Sequence, residues 1–194
     1  IRKMFLVEYK DPPEVFTNLV VSKDVCLIQH MCDENITITE WIYPVIWSDD
    51  ECEEVSVNFD ETISKLLKDS NFFKVSKNFI DFGNILYNYK PGEILSFETR
   101  LPEFSCVLPP TDWGTLDTEI NISISDTFDV TCDDITYRFP IFHLVKKFSK
   151  KIKIQSKFLK SLKSLTKVYI EEKFPICLET LNPRKRVYIA PCFE

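Results

Sequence analysis

Few residues in this 194-residue chain are of the types and spacings that catalysis requires. The two histidines, His30 and His143, lie far apart in the sequence, which argues against a histidine-rich metal site or a catalytic triad. The three glycines are Gly83, Gly92 and Gly114, so the closely spaced glycines of G-x-G-x-x-G and of the Walker A loop are missing. The sequence therefore predicts a protein that is not an enzyme and that uses no cofactor and no metal.

The seven cysteines also lack the spacing of a zinc or redox site. No pair is spaced C-x-x-C, which excludes a zinc ribbon and a thioredoxin-type motif. Four of them lie in apolar, strand-like runs and are predicted to be small buried side chains in a reduced protein: Cys26, Cys106, Cys132 and Cys177. The alternative is a secreted protein with disulfides, which two glycosylation triplets at Asn35 and Asn121 would suit.

An acidic run, Ser48–Glu54, could in principle bind calcium or magnesium through its carboxylates. It lacks both the alternating ligand spacing and the glycine of an EF-hand loop. The run therefore predicts a solvated turn.

Basic residues are concentrated in the last part of the chain. Residues 141–194 carry 13 Lys and Arg against 4 Asp and Glu, and the first 140 residues carry 11 against 26. The net charge of −6 thus combines a region of +9 with one of −15. This asymmetry indicates a surface that faces a polyanion, with a solvated lysine-rich face as the alternative.

Lysines recur at helical spacing in two segments. In a helix from Ser156 to about Thr166, the residues Phe158, Leu159, Leu162 and Leu165 would share one face, and lysines would occupy the other. A helix beginning after Asn58-Phe-Asp-Glu61 repeats this pattern on a smaller scale. The lysines expected on the exposed faces, where they could contact successive phosphates, are Lys65, Lys68, Lys157, Lys160, Lys163 and Lys167.

Two further helices complete a repeating pattern. One is predicted after Asp11-Pro-Pro, burying Val15, Phe16, Leu19 and Val20, and a short one is predicted over Pro110–Leu116. Each of the four helices follows a strand and precedes two or three alternating, β-branched strands.

This pattern predicts an α+β protein made of two similar domains, residues 1–93 and 94–194. Each domain would contain two β-α-β-β(-β) units, with the helices on one face of antiparallel sheets. Since one unit alone could not bury its apolar face, the units are expected to pack in pairs.

The C-terminal segment resembles the last quarter of a eukaryotic DNA sliding clamp, the proliferating cell nuclear antigen family. There, a strand leads into a leucine-rich helix, and three strands follow and end in an aromatic-x-Ala-Pro tail. The matching pieces in this chain are Ile152-Lys-Ile154, Phe158-Leu-Lys-Ser-Leu162, Phe174-Pro-Ile-Cys-Leu-Glu179 and Val187-Tyr-Ile-Ala-Pro191. Weaker matches are Val55–Lys68 and Phe104–Pro109, and together with the four-unit pattern they extend the resemblance over the whole chain.

The resemblance implies the DNA-clamp fold and a mechanical function. Clamp protomers close head-to-tail into a ring, and the six lysines named above would face duplex DNA without sequence preference, so that the ring slides. The strands near Ile80–Tyr87 and Ile135–Phe142 would be the edges that pair between protomers in a homo- or heterotrimer. A clamp loader and a location in the nucleus, or at a viral replication site, are also implied.

The same resemblance implies a pocket for short aromatic-containing peptides of DNA polymerases or repair proteins. Its lining would be Pro175, Tyr188, Ala190 and Pro191. The alternative interpretation of these residues is a terminal strand that a proline ends.

Three other functions stay open at this point. The chain could be a subunit of a heterotrimeric DNA-damage checkpoint clamp, or a structural subunit that keeps the fold but does not encircle DNA. From a different class, it could be a secreted or viral β-rich binding protein with disulfides and an incidental lysine-bearing helix. No apolar run approaches the roughly 20 residues that a membrane helix needs, so no association with a membrane is expected.

Overall fold

The computed structural model of the chain describes residues 3–11, 13, 16–31, 37–58, 61–89, 100–181 and 184–192. The chain divides into two compact units, one made of residues 1–31 and 39–98, the other of residues 32–38 and 99–194. The predicted boundary between residues 93 and 94 lies outside the described residues.

The first unit is an antiparallel sheet structure with one helix in its described part. Its elements are β1 (Met4–Glu8), β2 (Asn18–Val21), β3 (Val25–Met31), β4 (Thr37–Ser48), β5 (Val55–Asn58), α1 (Glu61–Lys68), β6 (Phe72–Ser76), β7 (Phe79–Asp81) and β8 (Leu86–Asn88). The first two residues of β4 are assigned to the second unit. Strands β4, β1, β6, β7 and β8 lie side by side in that order, and β2 pairs with both β3 and β5.

Alternation of side chains along the strands forms the core of this unit. In β1, Phe5 and Val7 are buried, and Met4, Leu6 and Glu8 lie on the other face. Leu67 of α1 is fully buried in the same core, where its burial contributes about 2 kcal/mol. Lys65 and Lys68 of the same helix are exposed.

The second unit contains two antiparallel sheets. Its elements are β9 (Phe104–Leu108), β10 (Glu119–Ile124), β11 (Phe128–Cys132), β12 (Ile135–Phe139), β13 (His143–Leu144), β14 (Phe148–Gln155), α2 (Lys157–Lys160), β15 (Thr166–Tyr169), β16 (Ile176–Leu181) and β17 (Arg184–Ile189). One sheet has the order β12-β11-β10-β14, and the other runs β13-β9-β15-β16-β17.

The two sheets of the second unit contribute to one apolar core. Ile120, Ile122 and Ile124 alternate along β10 and meet Val168 of β15 and Leu178 of β16 in a single buried cluster. These β-branched and leucine side chains suit a pleated surface that is buried on one face. Such alternation is typical of antiparallel sheets with one buried face, and the strand pairs of this unit are antiparallel.

Two of the predicted helices are wrong. Leu19 and Val20 lie in β2, which pairs on both sides, with β3 and with β5; Val15 lies outside the described residues. The segment 110–116 is irregular, because Gly114 has a φ of +59° and its N–H is bound by the side chain of Asp112 at 3.0 Å.

The second predicted helix is confirmed as α1, and the fourth is much shorter than predicted. It ends at Lys160 rather than near Thr166. The Ser161 hydroxyl donates to the carbonyl oxygen of Phe158 at 2.8 Å, a bond that competes with continued helix. Thr166 already belongs to β15. The predicted β-α-β-β pattern is therefore not repeated four times in the described chain.

The four cysteines that were predicted to be buried are buried: Cys26, Cys106, Cys132 and Cys177. No disulfide joins the six described cysteines, and Cys32 lies outside the described residues. Neither described helix is long and apolar enough to cross a bilayer.

Candidate functional site

The lysines of the second unit do not form the single helical row that was predicted. Lys157 and Lys160 lie on the exposed side of α2, opposite the fully buried Leu159. Lys163 is exposed in the turn that follows the helix, and Lys167 is half-buried in β15. Only the first two of the four therefore share a helix face.

Two of these ammonium groups are held by neighbouring groups. The Lys160 Nζ donates to the main-chain oxygen of Leu116 at 3.0 Å, and the Lys157 Nζ lies 5.2 Å from the centre of the Phe158 ring. Both lysines stay exposed, so their charges remain at the surface.

Lys167 lies on a different surface, because β15 alternates. Thr166 and Val168 are buried in the direction of the core, whereas Lys167 pairs across the sheet with Glu179 of β16. The Glu179 carboxylate is buried and accepts bonds from the Arg186 Nε at 2.6 Å and the Tyr169 hydroxyl at 3.3 Å. Burial, followed by the Glu179 charge, raises the pKa of Tyr169. Lys167 is therefore next to a buried ionic cluster that sequence reasoning missed.

In the first unit, Lys65 and Lys68 are exposed in the last turn of α1. Their spacing of three residues places them on one side of the helix. A cation in the last turn also interacts favourably with the helix dipole, so their positions suit stability as well as phosphate binding.

Three lysines of the basic segment 146–151 are paired with acidic residues that lie in loops next to strands. Lys146 forms an ion pair with Glu103, and the Lys147 and Lys150 ammonium groups lie 2.8 Å and 2.5 Å from the carboxylates of Asp126 and Glu172. The hydrogen bond from Lys150, together with its charge, lowers the pKa of Glu172. Local positive charge is thus partly neutralised here, which the sequence alone did not reveal.

A groove of about 360 Å³ follows this segment. Its walls include Glu103, Ser105, Lys146, Phe148 and Ile170. The Ser105 hydroxyl donates to the main-chain oxygen of Lys146 at 2.6 Å and so holds one wall in place. Within the described residues, no group of three or more His, Cys, Asp or Glu side chains is arranged to hold a metal ion.

The four residues predicted for a partner-peptide pocket meet at one end of the β16–β17 hairpin. Ile176 pairs with Ile189, so the preceding Pro175 and the following Ala190 lie beside each other. Pro175 is exposed, and Ala190 and Pro191 are half-buried. Tyr188, which pairs with Cys177, is only 4% exposed, so its ring offers little contact surface.

Arg100 contacts the turn that precedes Pro175, and no local feature of the sequence marks it. Its guanidinium carbon lies 4.4 Å from the centre of the Phe174 ring, and one of its nitrogens lies 3.3 Å from each carboxylate oxygen of Glu171. Lys173 in the same turn has a φ of +66°, a left-handed conformation that non-glycine residues rarely adopt. These contacts fix the loop from 171 to 175.

Each predicted pairing edge includes the last strand of a sheet in the part of the chain that the structure describes. These strands are β8, which contains Tyr87, and β12, which contains Ile135. Ile80 is not on an edge, because β7 pairs with both β6 and β8. In β12, Ile135 is 58% exposed and Tyr137 is 40% exposed, so an edge strand carries apolar side chains to solvent. Such an edge invites pairing with another strand.

No family model matches the sequence, and no curated protein matches it. Among solved structures, the chain is similar to one described as the C-terminal region of FEN-1 bound to A. fulgidus PCNA. The TM-score is 0.60, the identity is 12%, and the match covers 99% of this chain and 99% of that chain. The chain thus has a clamp-like fold.

Proposed function

We propose that this chain is a non-enzymatic sliding-clamp subunit that encircles duplex DNA as part of a ring and tethers replication or repair enzymes to it. The observation that carries the proposal is the similarity of fold to a PCNA chain over almost the full length of both chains. A clamp works by topology, so it needs a closed ring and a weakly attractive inner surface rather than reactive groups.

The proposed DNA contacts are Lys65, Lys68, Lys157, Lys160, Lys163 and Lys167. Lysine is a mobile point charge that binds phosphates without reading bases, which suits sliding. Five of the six are exposed, and Lys167, half-buried beside Glu179, is expected to contribute least.

The proposed ring closes through β8 of one protomer and β12 of the next. Both are edge strands, and head-to-tail pairing would satisfy their backbone groups and cover Ile135 and Tyr137. The ring is a homotrimer or a heterotrimer, as in checkpoint clamps, and a clamp loader opens it. Its proposed location is the nucleus or a viral replication site.

Enzymes would be recruited through short peptides that dock at Pro175, Ala190 and Pro191, next to Tyr188. The exposed proline and the half-buried tail provide an apolar surface at one hairpin end. The similar solved structure is a complex of PCNA with the C-terminal region of FEN-1, which supports a partner peptide of this kind.

The native mass in solution tests the proposal, measured by light scattering on the chain alone and with co-purifying subunits. A homotrimer would have three times 22.8 kDa, about 68 kDa. A trimer, or a three-subunit complex of similar size, that is retained on closed circular DNA and slides off linear DNA is the expected result. A monomer that binds neither subunits nor DNA would overturn the proposal.

A further inference from the structure

The outward face of the sheet in the first unit carries apolar side chains across several strands. The pairing register places one residue from each of five neighbouring strands in a row on this face. In the order β4, β1, β6, β7 and β8, these residues are Trp47, Leu6, Lys74, Asp81 and Leu86. An adjacent pair on the same face joins Glu8 to Phe72.

The large side chains of this face are turned to solvent. Trp47 is 53% exposed and Phe72 is 50% exposed, whereas Phe73, the next residue in β6, is buried in the core. Leu86, at the far end of the row, is 49% exposed, but Lys74 and Asp81 separate it from Leu6. The apolar part of the face is therefore its β4 end, where Trp47 pairs with Leu6 and Phe72 lies diagonally across from Leu6. Exposed apolar side chains that cluster in this way mark interaction sites in soluble proteins.

A β-bulge enlarges the apolar face at β4. The register shifts between Leu6 and Val7, so that Leu6 pairs with Trp47 and Val7 pairs with Val45. Ile46 falls between the two pairs and is 51% exposed. Because a bulge re-aims the side chains around it, Ile46 and Trp47 are both exposed although they are consecutive.

The acidic loop 49–54 directly follows this bulged strand end. Asp49 anchors it, since its carboxylate accepts a bond from the Met4 N–H at 3.1 Å, and Cys52 is buried below the loop. The four remaining acidic residues are exposed: Asp50, Glu51, Glu53 and Glu54. Lys3 pairs with Glu51 at 2.9 Å, and the Lys23 ammonium group donates to the main-chain oxygen of Asp50 at 2.5 Å. These two lysines offset only part of the five acidic charges, so the loop, which begins two residues after Trp47, keeps a net negative charge.

We propose that this face, made of Ile46, Trp47, Phe72 and the acidic loop 49–54, is a docking surface for a protein segment that is both apolar and basic. The charge of the loop selects the partner, because exposed carboxylates at the end of the apolar face repel nucleic acid and anionic membranes and attract lysine and arginine. The surface lies wholly within the first unit and does not depend on the proposed clamp function.

The two parts of the surface have different tasks. Trp47 provides a large rigid contact area, and tryptophan is enriched among the residues that dominate binding energy. The carboxylates of Glu53 and Glu54 lie at the rim, where charges speed association and make it sensitive to salt. Apolar side chains of the partner would cover Trp47 and Phe72, and its basic side chains would reach the loop.

Fluorescence anisotropy with two labelled eight-residue peptides tests the proposal on the full chain. One peptide alternates lysine with leucine, and the other alternates glutamate with leucine. We expect saturable one-to-one binding of the basic peptide, no binding of the acidic one, and weaker binding as salt rises. Trp47→Ser should weaken binding at least tenfold, and Glu53→Gln with Glu54→Gln should remove most of the salt dependence.

Val145→Ser is the matched control, because Val145 is 57% exposed but lies in the second unit. It should leave the affinity unchanged. The proposal is overturned if the wild-type chain does not bind the basic peptide, or if Trp47→Ser and Val145→Ser have equal effects. Binding to phosphatidylserine vesicles that needs Trp47, or a change in native mass caused by Trp47→Ser, would also overturn it, since the occupant would then be a membrane or a second copy.

Discussion

The Lys160 ammonium group donates a 3.0 Å hydrogen bond to the main-chain oxygen of Leu116, 44 positions earlier in the chain. This bond ties the single turn of α2 to the irregular segment that follows β9. Leu116 and Leu159 are buried in the same apolar core, so the bond and the packing of that core hold the same two segments together. A lysine that was predicted only from its charge thus also has a structural task.

Charge reversal of lysines without this tether tests DNA binding. Lys157→Glu with Lys163→Glu should strongly weaken retention of duplex DNA without unfolding the chain, because both side chains are exposed. If each contacts one phosphate, the slope of log K against log salt falls by about 2. Filter binding at several salt concentrations measures both effects.

The matched control for this pair is Lys147→Glu with Lys150→Glu. It changes the net charge equally but acts on lysines that are paired with Asp126 and Glu172. Its salt slope should stay close to that of the wild type. Equal losses in the two double variants would mean that only net charge matters and that the six assigned lysines are not special.

Local patterns predicted some elements well, and tertiary contacts decided the others. The helix α1 and the burial of Cys106 follow from periodicity within a few residues, which a sequence shows directly. Leu19 and Val20 fit an amphipathic helix equally well, but pairing of β2 with strands on both sides makes them a strand. Pairing between distant strands cannot be read from a local pattern.

The same limit applies to the candidate site. Pro175 and Ala190 could be grouped from the family resemblance, and the structure brings them together. The stacking of Arg100 on Phe174 joins residues 74 positions apart, and neither has a local feature that marks it. The predicted lysine row failed at Lys163 because a serine hydroxyl ends the helix at its first turn.

The burial of each cysteine predicts whether its thiol reacts with a labelling reagent in the folded chain. Burial raises the pKa of Cys106 to about 11 and that of Cys26 further, so both thiols stay protonated and unreactive at pH 8. In a Cys32→Ser variant, a thiol-reactive dye should label Cys192, which is half-buried, at pH 8. The other five should react only after unfolding. Rapid labelling of Cys106 in the folded chain would contradict its placement.

The raised pKa of Cys106 also predicts how the free energy of unfolding changes with pH. Below pH 9, the thiol is protonated in both the folded and the unfolded chain, so it makes no difference to the free energy of unfolding. Between about pH 9 and pH 11, the unfolded chain loses this proton first, so stability falls as the pH rises. In Cys106→Ala, the loss of stability over this range, measured by urea unfolding, should be smaller than in the wild type.

Leu162 and Lys163 are neighbours with opposite environments, and they test the end of α2. Leu162 is buried in the core of the second unit and Lys163 is exposed. Leu162→Asp places an unpaired charge in that core and should destabilise the unit by about 4 kcal/mol or more. Lys163→Asp should change stability by less than about 0.5 kcal/mol. Similar melting temperatures for both variants would show that the chain leaves α2 in a different orientation.

Substitutions of Arg100 test whether the proposed peptide pocket depends on the turn formed by residues 171–175. Arg100→Ala removes both the stacking on Phe174 and the contacts with Glu171, so the loop before Pro175 loses its anchor. We expect the affinity for a synthetic peptide of the FEN-1 C-terminal region to fall several-fold, with an intermediate result for Arg100→Lys, which keeps the charge but not the planar group. The melting temperature should change little, because an exposed stacking contact is worth about 0.5–1 kcal/mol.

Arg184→Ala is the control, because Arg184 is exposed at the opposite end of the same hairpin. It should leave peptide affinity unchanged. If the wild-type chain does not bind the peptide, the pocket assignment fails; if it binds and Arg100→Ala binds equally well, only the anchoring function of Arg100 fails.

A substitution of Ile135 tests whether the edge strand β12 joins protomers. This residue is 58% exposed on an edge strand, so Ile135→Asp should not disturb the fold of the isolated chain. In a ring, the same change buries a charge at a subunit contact and should weaken association at least tenfold. Leu181→Asp is the matched control, since Leu181 is 49% exposed at the end of β16, which is neither of the two strands proposed to join protomers. Sedimentation across a concentration series measures association. If the ring still forms with Ile135→Asp but not with Leu181→Asp, the subunit contact does not involve β12 and the assignment is wrong.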